Sequence, residues 1–360
     1  MKKLLLAFIL SLILMGCSDT EKDYMPVANF TDISKPVSYG NHQDIYVFSN
    51  QTLDENTLNI MKQQFGYPTE GAQKERTFQL IWKSFSDFEE LKKAKNIMFV
   101  CNMDIPSSFT AFISSKIPQD KLDSVLQGAS SILTYQNEWS DDQLVTFILS
   151  NNENSLDNII VSRIANLYLD YEKRFLQRMT RRVYYRGTLK DNFFADYNYN
   201  VTLPSTFQIY KEIKEENMIS FIYRYKKKAT VLPDKYLTVY QENMDKDEVT
   251  ESWFRKTRSK IGDTVLDGDE IDWLRTRLMP KTFTTWNNEK YLGYVLEGAW
   301  ENTRTNMGGS FKSYAFFDDQ TNAAYFIDTA VYYPAGTKIP YITELEGIAK
   351  SFNTKIKEQK

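Results

Sequence analysis

Histidine is almost absent from this chain: His42 is the only one among 360 residues. That single count excludes zinc sites built on several histidines, and it leaves a Ser-His-Asp triad one place to find its base. Cysteine is nearly as scarce, with Cys17 and Cys101 the only two, so the fold does not rest on a disulfide framework. Beyond Met15 no apolar run approaches the roughly 20 residues that span a bilayer. There is no internal repeat, no low-complexity tract and no basic excess. Lys and Arg number 44 against 47 Asp and Glu, a net charge of −3. An acidic balance removes the general electrostatic case for nucleic acid, so no nucleic-acid partner is expected. What is present is core-forming material: 42% of residues are hydrophobic and 14% aromatic. The length suits two domains of moderate size, each able to bury a core.

The chain starts with Met1, Lys2 and Lys3, an apolar run from Leu4 to Met15, then Gly16-Cys17. Two lysines before about a dozen apolar residues read as a secretory signal, too short to remain as a membrane span. Leu14-Met15-Gly16-Cys17 resembles the bacterial lipobox. That resemblance implies that Cys17 is lipidated and becomes the first mature residue, so that the protein is tethered to a membrane outside the cytoplasm. The expected location is the outer membrane of a Gram-negative-type envelope, facing either the periplasm or the surface. Ser18-Asp19-Thr20-Glu21 resembles the acidic leaders of surface-directed lipoproteins. Residues 18–40 are polar and contain Pro26 and Pro36, the composition of a flexible tether.

From Asp44 onward, element types alternate. Strands are expected at Ile45–Phe48, Thr77–Phe85, Ile97–Cys101, Ile132–Tyr135 and Leu144–Leu149, with helices over Leu53–Phe65 and Asp87–Ala94. Leu156, Ile160, Ile164, Leu167, Tyr171, Phe175 and Met179 recur at steps of three and four, which predicts a long helix over Ser155–Arg182 capped by Asn154 or Ser155. Residues 41–186 therefore read as an α/β-type layered domain. Residues 187–360 read differently. Strands are expected at Tyr197–Thr202, Thr206–Ile213, Met218–Tyr225 and Tyr236–Tyr240, then a helix over Glu248–Ile261. A polar turn-rich stretch over Asp263–Asp272 follows, and then a meander of Tyr291–Trp300, Phe311–Phe317 and Ala323–Tyr333. A last helix is expected over Tyr341–Phe352. The fold class is α+β: a layered α/β-type domain followed by an antiparallel sheet with packed helices.

Several residues carry a family resemblance. Lys35-Pro36-Val37-Ser38-Tyr39-Gly40 leads into Asp44-Ile45-Tyr46-Val47-Phe48. Later come Gly298-Ala299-Trp300, Met307-Gly308-Gly309-Ser310-Phe311, Tyr325-Phe326-Ile327-Asp328 and Val331-Tyr332-Tyr333-Pro334. This order is similar to a bacterial lipoprotein family known as domain of unknown function 4837, over most of the mature chain. The resemblance implies an envelope lipoprotein and carries over no catalytic residue. The second half also resembles PsbP-like domains, which end in a helix followed by a Ser-Phe pair, here Ser351-Phe352.

The chemistry-bearing residues are few. His42 lies in a Gly-Asn-His-Gln turn and reads as solvated. Cys101 lies in the apolar run Ile97-Met98-Phe99-Val100-Cys101 and reads as a buried, inert thiol. Met307-Gly308-Gly309-Ser310 is the nearest approach to a glycine-rich loop. A phosphate cradle needs a helix after the glycines, and a strand follows here, so the pair reads as a turn or a close backbone approach. Trp300, Glu301, Arg304, Gly308, Gly309, Ser310 and Tyr314 are the candidate ligand cleft. Arg174, Arg178, Arg181 and Arg182 share a helix face near its carboxyl end, either a solvated complement to the helix dipole or a grip on an anionic partner. Asp267, Asp269, Glu270 and Asp272 form an acidic loop without the spacing of a calcium-binding hand. No cofactor and no metal site are expected. The reading is an envelope lipoprotein acting as a non-catalytic binding or assembly module for a protein or glycan. The alternative is an envelope hydrolase of glycan or peptidoglycan-type substrates, working through carboxylates or Ser310.

Overall fold

The computed structural model describes residues 34–190, 193–225 and 232–355. The signal run, Cys17, residues 18–33 of the tether and the lysine run Lys226-Lys227-Lys228 lie outside the described residues.

The first half alternates strands and helices: β1 (Asp44–Ser49), α1 (Glu55–Phe65), a hairpin of β2 (Pro68–Thr69) and β3 (Glu75–Arg76), β4 (Gln79–Lys83), α2 (Phe88–Leu91) and β5 (Asn96–Asn102). It continues with α3 (Ser108–Ser114), α4 (Gln119–Leu126), β6 (Ser131–Gln136), β7 (Leu144–Ser150) and α5 (Glu153–Val183). The sheet order is β4-β1-β5-β7-β6. All neighbours run parallel except β6, which is antiparallel to β7. A parallel sheet must be covered on both faces, and every residue of β5 and β7 is buried accordingly. Met61, Phe65, Leu156, Ile160 and Ile164 from α1 and α5 cover one face. Phe88, Phe109, Ile113, Leu122 and Val125 from α2, α3 and α4 cover the other.

Helix α5 spans the predicted stretch, but its cap is Asn152, whose Oδ1 accepts the Ser155 N–H at 2.8 Å. Helices α3 and α4 were not expected. Each has only about two turns, and Pro106 and Pro118 break the apolar period around them. Local signals do exist: Ser107 caps α3 by accepting the Thr110 N–H at 3.1 Å.

The second half contains β8 (Tyr199–Asn200), β9 (Gln208–Ile213), β10 (Met218–Tyr223), β11 (Asp234–Glu242), α6 (Glu251–Thr264), β12 (Glu270–Pro280) and a short pair, β13 (Phe283–Thr284) with β14 (Lys290–Tyr291). Then come β15 (Gly293–Asn302), β16 (Met307–Asp318), β17 (Ala323–Tyr332), α7 (Ile339–Ala349) and β18 (Asn353–Thr354), which pairs with β8. Seven strands form an antiparallel sheet in the order β12-β15-β16-β17-β11-β10-β9. Phe254 and Ile261 of α6 pack on one face with Trp300, Phe311 and Phe326. Leu345 and Ile348 of α7, with Phe352 and Tyr199, pack on the other against Phe316 and Tyr325. The α+β expectation is correct. Two local readings are not. Tyr197–Thr202 is a strand only at Tyr199–Asn200. The acidic stretch turns at Asp267-Gly268, both at positive φ, and from Glu270 becomes the eleven-residue edge strand β12.

The halves meet along α5 and α7. A Cβ on Gly347 would collide with Thr180 Oγ1, so the helices approach as closely as a glycine allows. Arg182 Nε of α5 donates to Glu344 Oε1 of α7 at 2.6 Å, and Lys235 Nζ donates to Glu344 Oε2 at 2.9 Å. The tether expectation also changes at its end. Asp141 N–H donates to Pro36 O at 2.8 Å, Ser38 N–H to Asp141 O at 3.1 Å and Tyr39 N–H to Lys93 O at 3.1 Å. Residues 36–39 are thus docked at the amino edge of the parallel sheet.

Candidate functional site

The residues singled out in the sequence do not assemble into one cleft. Trp300 packs on the α6 face of the large sheet, whereas Tyr314 packs on the α7 face. Gly308 and Gly309 are extended residues of β16, not a loop. Gly309 does meet the need for close approach, since a Cβ there would strike the Trp300 ring and the Val331 carbonyl. Ser310 is 8% exposed, and its Oγ accepts the Ala72 N–H of the β2–β3 hairpin at 3.1 Å. Glu301 and Arg304 are exposed beside the β15–β16 turn.

The four arginines are not a free anion grip, and only Arg182 is exposed. Arg174 and Arg178 are 2% and 3% exposed. Asp142, at positive φ in the β6–β7 turn, puts one oxygen, Oδ1, within 3.3 Å of Arg174 Nη2, 3.3 Å of Arg178 Nε and 3.2 Å of Arg181 Nη2. Arg178 also donates to Asn96 Oδ1 at 2.8 Å and to the Asp142 carbonyl at 2.6 Å. These charges lock the carboxyl half of α5 to the sheet, and Arg182 is taken by Glu344. His42 is half-buried rather than solvated. Burial, then Lys95, Arg178, Arg182 and Arg181, hold its imidazole down to about 3. Cys101 is buried with its thiol pushed up to about 12 by desolvation. Within the acidic loop Asp269 is 9% exposed and accepts the Asn302 Nδ2–H at 2.9 Å. Burial raises its carboxyl to about 6. Among the described residues no group of three or more His, Cys, Asp and Glu side chains is placed to hold a metal ion.

A different site follows from the topology. Strand β1 passes through α1 to β4 on one side, and the chain then returns to β5 on the other side. In open α/β sheets the crevice at the carboxyl ends of strands diverging in this way is where ligands bind. Polar residues end these strands. Asn50 Nδ2 donates to Asn102 O at 2.8 Å, Asn102 N–H returns to Asn50 Oδ1 at 2.9 Å, and Asn102 Nδ2 donates to Gln51 Oε1 at 2.8 Å. Gln51 Nε2 is buried without a hydrogen-bond partner.

On the same edge an open groove of about 770 Å³ separates the first turn of α1 from the first turns of α5. Asp54, Asn56, Ser130, Ser155, Asp157 and Arg163 line it. Asp54 is already engaged as the α1 cap, accepting the Thr57 N–H at 3.1 Å. Asp157 is not engaged in the same way: its Oδ1 is buried with no hydrogen-bond partner. Carboxylates, amides, hydroxyls and one guanidinium together offer both donors and acceptors. Sequence reading missed this groove because its walls come from three connections far apart in the chain. The available signal was the polar residues after each parallel strand, Asn50-Gln51, Asn102 and Asn151-Asn152.

Comparison with known proteins divides the chain in two. Residues 187–351 match the family model of a domain of unknown function, DUF4837. Residues 38–184 match a separate one, the domain of unknown function DUF8532. The resemblance drawn over most of the chain therefore narrows to the second half. No curated protein matches the chain. Among solved structures, the Ran-binding protein Mog1p of Saccharomyces cerevisiae is 11% identical over 44% of this chain and 92% of its own, with a TM-score of 0.29. LpqN of Mycobacterium tuberculosis, described as involved in cell envelope biogenesis, is 9% identical over 44% of this chain and 83% of its own, with a TM-score of 0.28. No helix among the described residues is long and apolar enough to cross a membrane.

Proposed function

We propose that this chain, whose residues 187–351 match the DUF4837 family model, is a lipid-anchored binding module of the cell envelope. Its ligand is a hydroxyl-rich chain, a glycan, held in the groove at the carboxyl edge of the first sheet. The observation that carries this reading is Asp157 Oδ1, buried in the groove wall without a donor. An unsatisfied buried oxygen costs about 1–3 kcal/mol, and a turn of the Asp157 side chain into the groove lets a ligand hydroxyl supply the missing bond.

The attachment of residues 36–39 supports the same reading. They enter the body at the amino edge of the parallel strands. An anchor that joins the body at that edge leaves the opposite, carboxyl edge with its groove clear of the tether. The hydrolase alternative through Ser310 gains no support, because the hydroxyl serves the Ala72 N–H.

Two substitutions test the two parts. Cys17→Ser is expected to leave an unprocessed precursor or a soluble protein, since stable anchoring needs acyl chains at about 0.8 kcal/mol per buried methylene. Asp157→Ala is expected to stay on the membrane and to lose binding of purified envelope glycan in titration calorimetry. A fully processed, membrane-bound Cys17→Ser protein overturns the anchor. Undiminished glycan binding by Asp157→Ala overturns the groove.

A further inference from the structure

Large apolar side chains left in solvent are not spread evenly over this body. Leu274 is 98% exposed, Tyr185 88% and Val37 79%, and Tyr67, Tyr39 and Trp273 are exposed as well. The topology ties all six to one edge, the amino edge of the parallel sheet. Val37 and Tyr39 bridge to Asp141 and Ala94, just before β7 and β5. Tyr67 follows α1 and Tyr185 follows α5, and both helices run back from the carboxyl ends of their strands to the amino edge. Trp273 and Leu274 belong to the second half. Residues 273–275 bulge out of β12, since Asp272 and Thr276 occupy adjacent positions against β15. Arg275 Nη1 donates to Ala72 O at 3.1 Å, in the tip of the β2–β3 hairpin. The base of that hairpin is fastened at the start of β1, where Gln43 Nε2 donates to Arg76 O and Thr77 O, each at 3.0 Å.

The composition of this edge points to its occupant. Four of the six residues are Tyr or Trp, which gather at membrane–water interfaces because they join an apolar ring to a polar tip. The charges beside the bulge are paired within the chain, Arg255 with Glu251, Arg275 with Asp272 and Arg277 with Glu297. They call for no charged partner. Residues 36–39 bring the tether in at this same edge. The stretch from Cys17 to Ser34 reaches roughly 55 Å when fully extended, so an acyl anchor alone sets no orientation. A face with its own affinity for the bilayer does.

We propose that the amino edge is a membrane-contact face, with Trp273-Leu274 as its deepest point and the interfacial zone of a lipid bilayer as its occupant. The inference rests on the acyl anchor at Cys17 and is independent of the glycan groove. Contact through a few side chains is weak for a protein free in solution. An anchor turns the encounter into an intramolecular one, so a weak contact persists. The groove at the carboxyl edge is then turned away from the bilayer.

The test uses the acylated full chain in phosphatidylcholine vesicles, with a polarity-sensitive dye on Leu274→Cys. Cys101 is buried and stays unlabelled. The control carries the dye on Leu126→Cys. Leu126 is exposed and leads into β6, whose first residues pair with the carboxyl end of β7. Both substitutions alter side chains in solvent, so the fold is kept. The Leu274→Cys dye is expected to shift to the blue, and to be quenched by a lipid-borne nitroxide several-fold more than the Leu126→Cys dye. Vesicle-bound protein with equal quenching at the two positions overturns this inference and leaves the anchor standing. A chain that is not retained on vesicles overturns the anchor and this inference with it. A blue shift that grows with protein concentration and not with lipid shows a second copy on this edge, and overturns the inference too.

Discussion

Glu75 caps the helix that begins beside Lys338. Its two carboxylate oxygens accept the Lys338 N–H at 2.9 and 2.8 Å, and one of them accepts the Ile339 N–H at 3.0 Å. Lys338 itself has no capping side chain. The first half of the chain thus supplies the missing cap, and negative charge, to a helix of the second half. Glu75→Ala is expected to cost about 2 kcal/mol, the upper range for a lost cap. Urea unfolding measures this; a change within experimental error would show that the cap does not couple the halves.

Each half nevertheless owns a sheet and a core. Residues 34–186 and residues 187–355, expressed separately, are each expected to melt cooperatively, at a lower temperature than the full chain because α5 and α7 lose each other. Calorimetry decides this, and two fragments without a transition would mean that the division at residue 186 is wrong.

Asp142 is the common counter-ion of three guanidinium groups. Asp142→Asn keeps a residue that tolerates the left-handed backbone but removes the charge. The expected loss is about 3–5 kcal/mol, the cost of leaving buried charge unpaired. A loss below about 1 kcal/mol would mean that neighbouring amides and carbonyls suffice.

His42 gives a pH dependence with a definite sign. The unfolded imidazole binds its proton near pH 6.5, the folded one only near 3. Between these values the unfolded state binds more protons, so stability is full above about pH 6.5 and falls as the pH drops. The slope approaches at most about 1.4 kcal/mol per pH unit. His42→Gln is expected to flatten the urea midpoint between pH 7 and pH 5. An unchanged slope would place the acid sensitivity elsewhere.

Much of the fold was legible because its elements are long or wholly apolar. Leu156 to Met179 kept one helical period through more than six turns, and Cys101 sat in a run that only a buried strand explains. What stayed hidden has physical causes. Helices α3 and α4 are too short for a period to emerge. Strand β12 lies at an edge, where Arg275 and Arg277 are free to replace the apolar alternation of an inner strand. The arginines of α5 looked like a surface because helical spacing shows who shares a face, not what covers it; Asp142 arrives from another element. The groove had no local motif at all. It becomes visible only when the strand order places Asp54, Ser130 and Asp157 on one edge.

The groove between α1 and α5 is the proposed seat of a glycan. Hydrogen exchange of the full chain, with and without soluble envelope glycan fragments, tests it directly. Slowed exchange is expected in residues 54–57 and 155–163, and is expected to be absent in Asp157→Ala. Binding without protection there, or the same protection in Asp157→Ala, would contradict it.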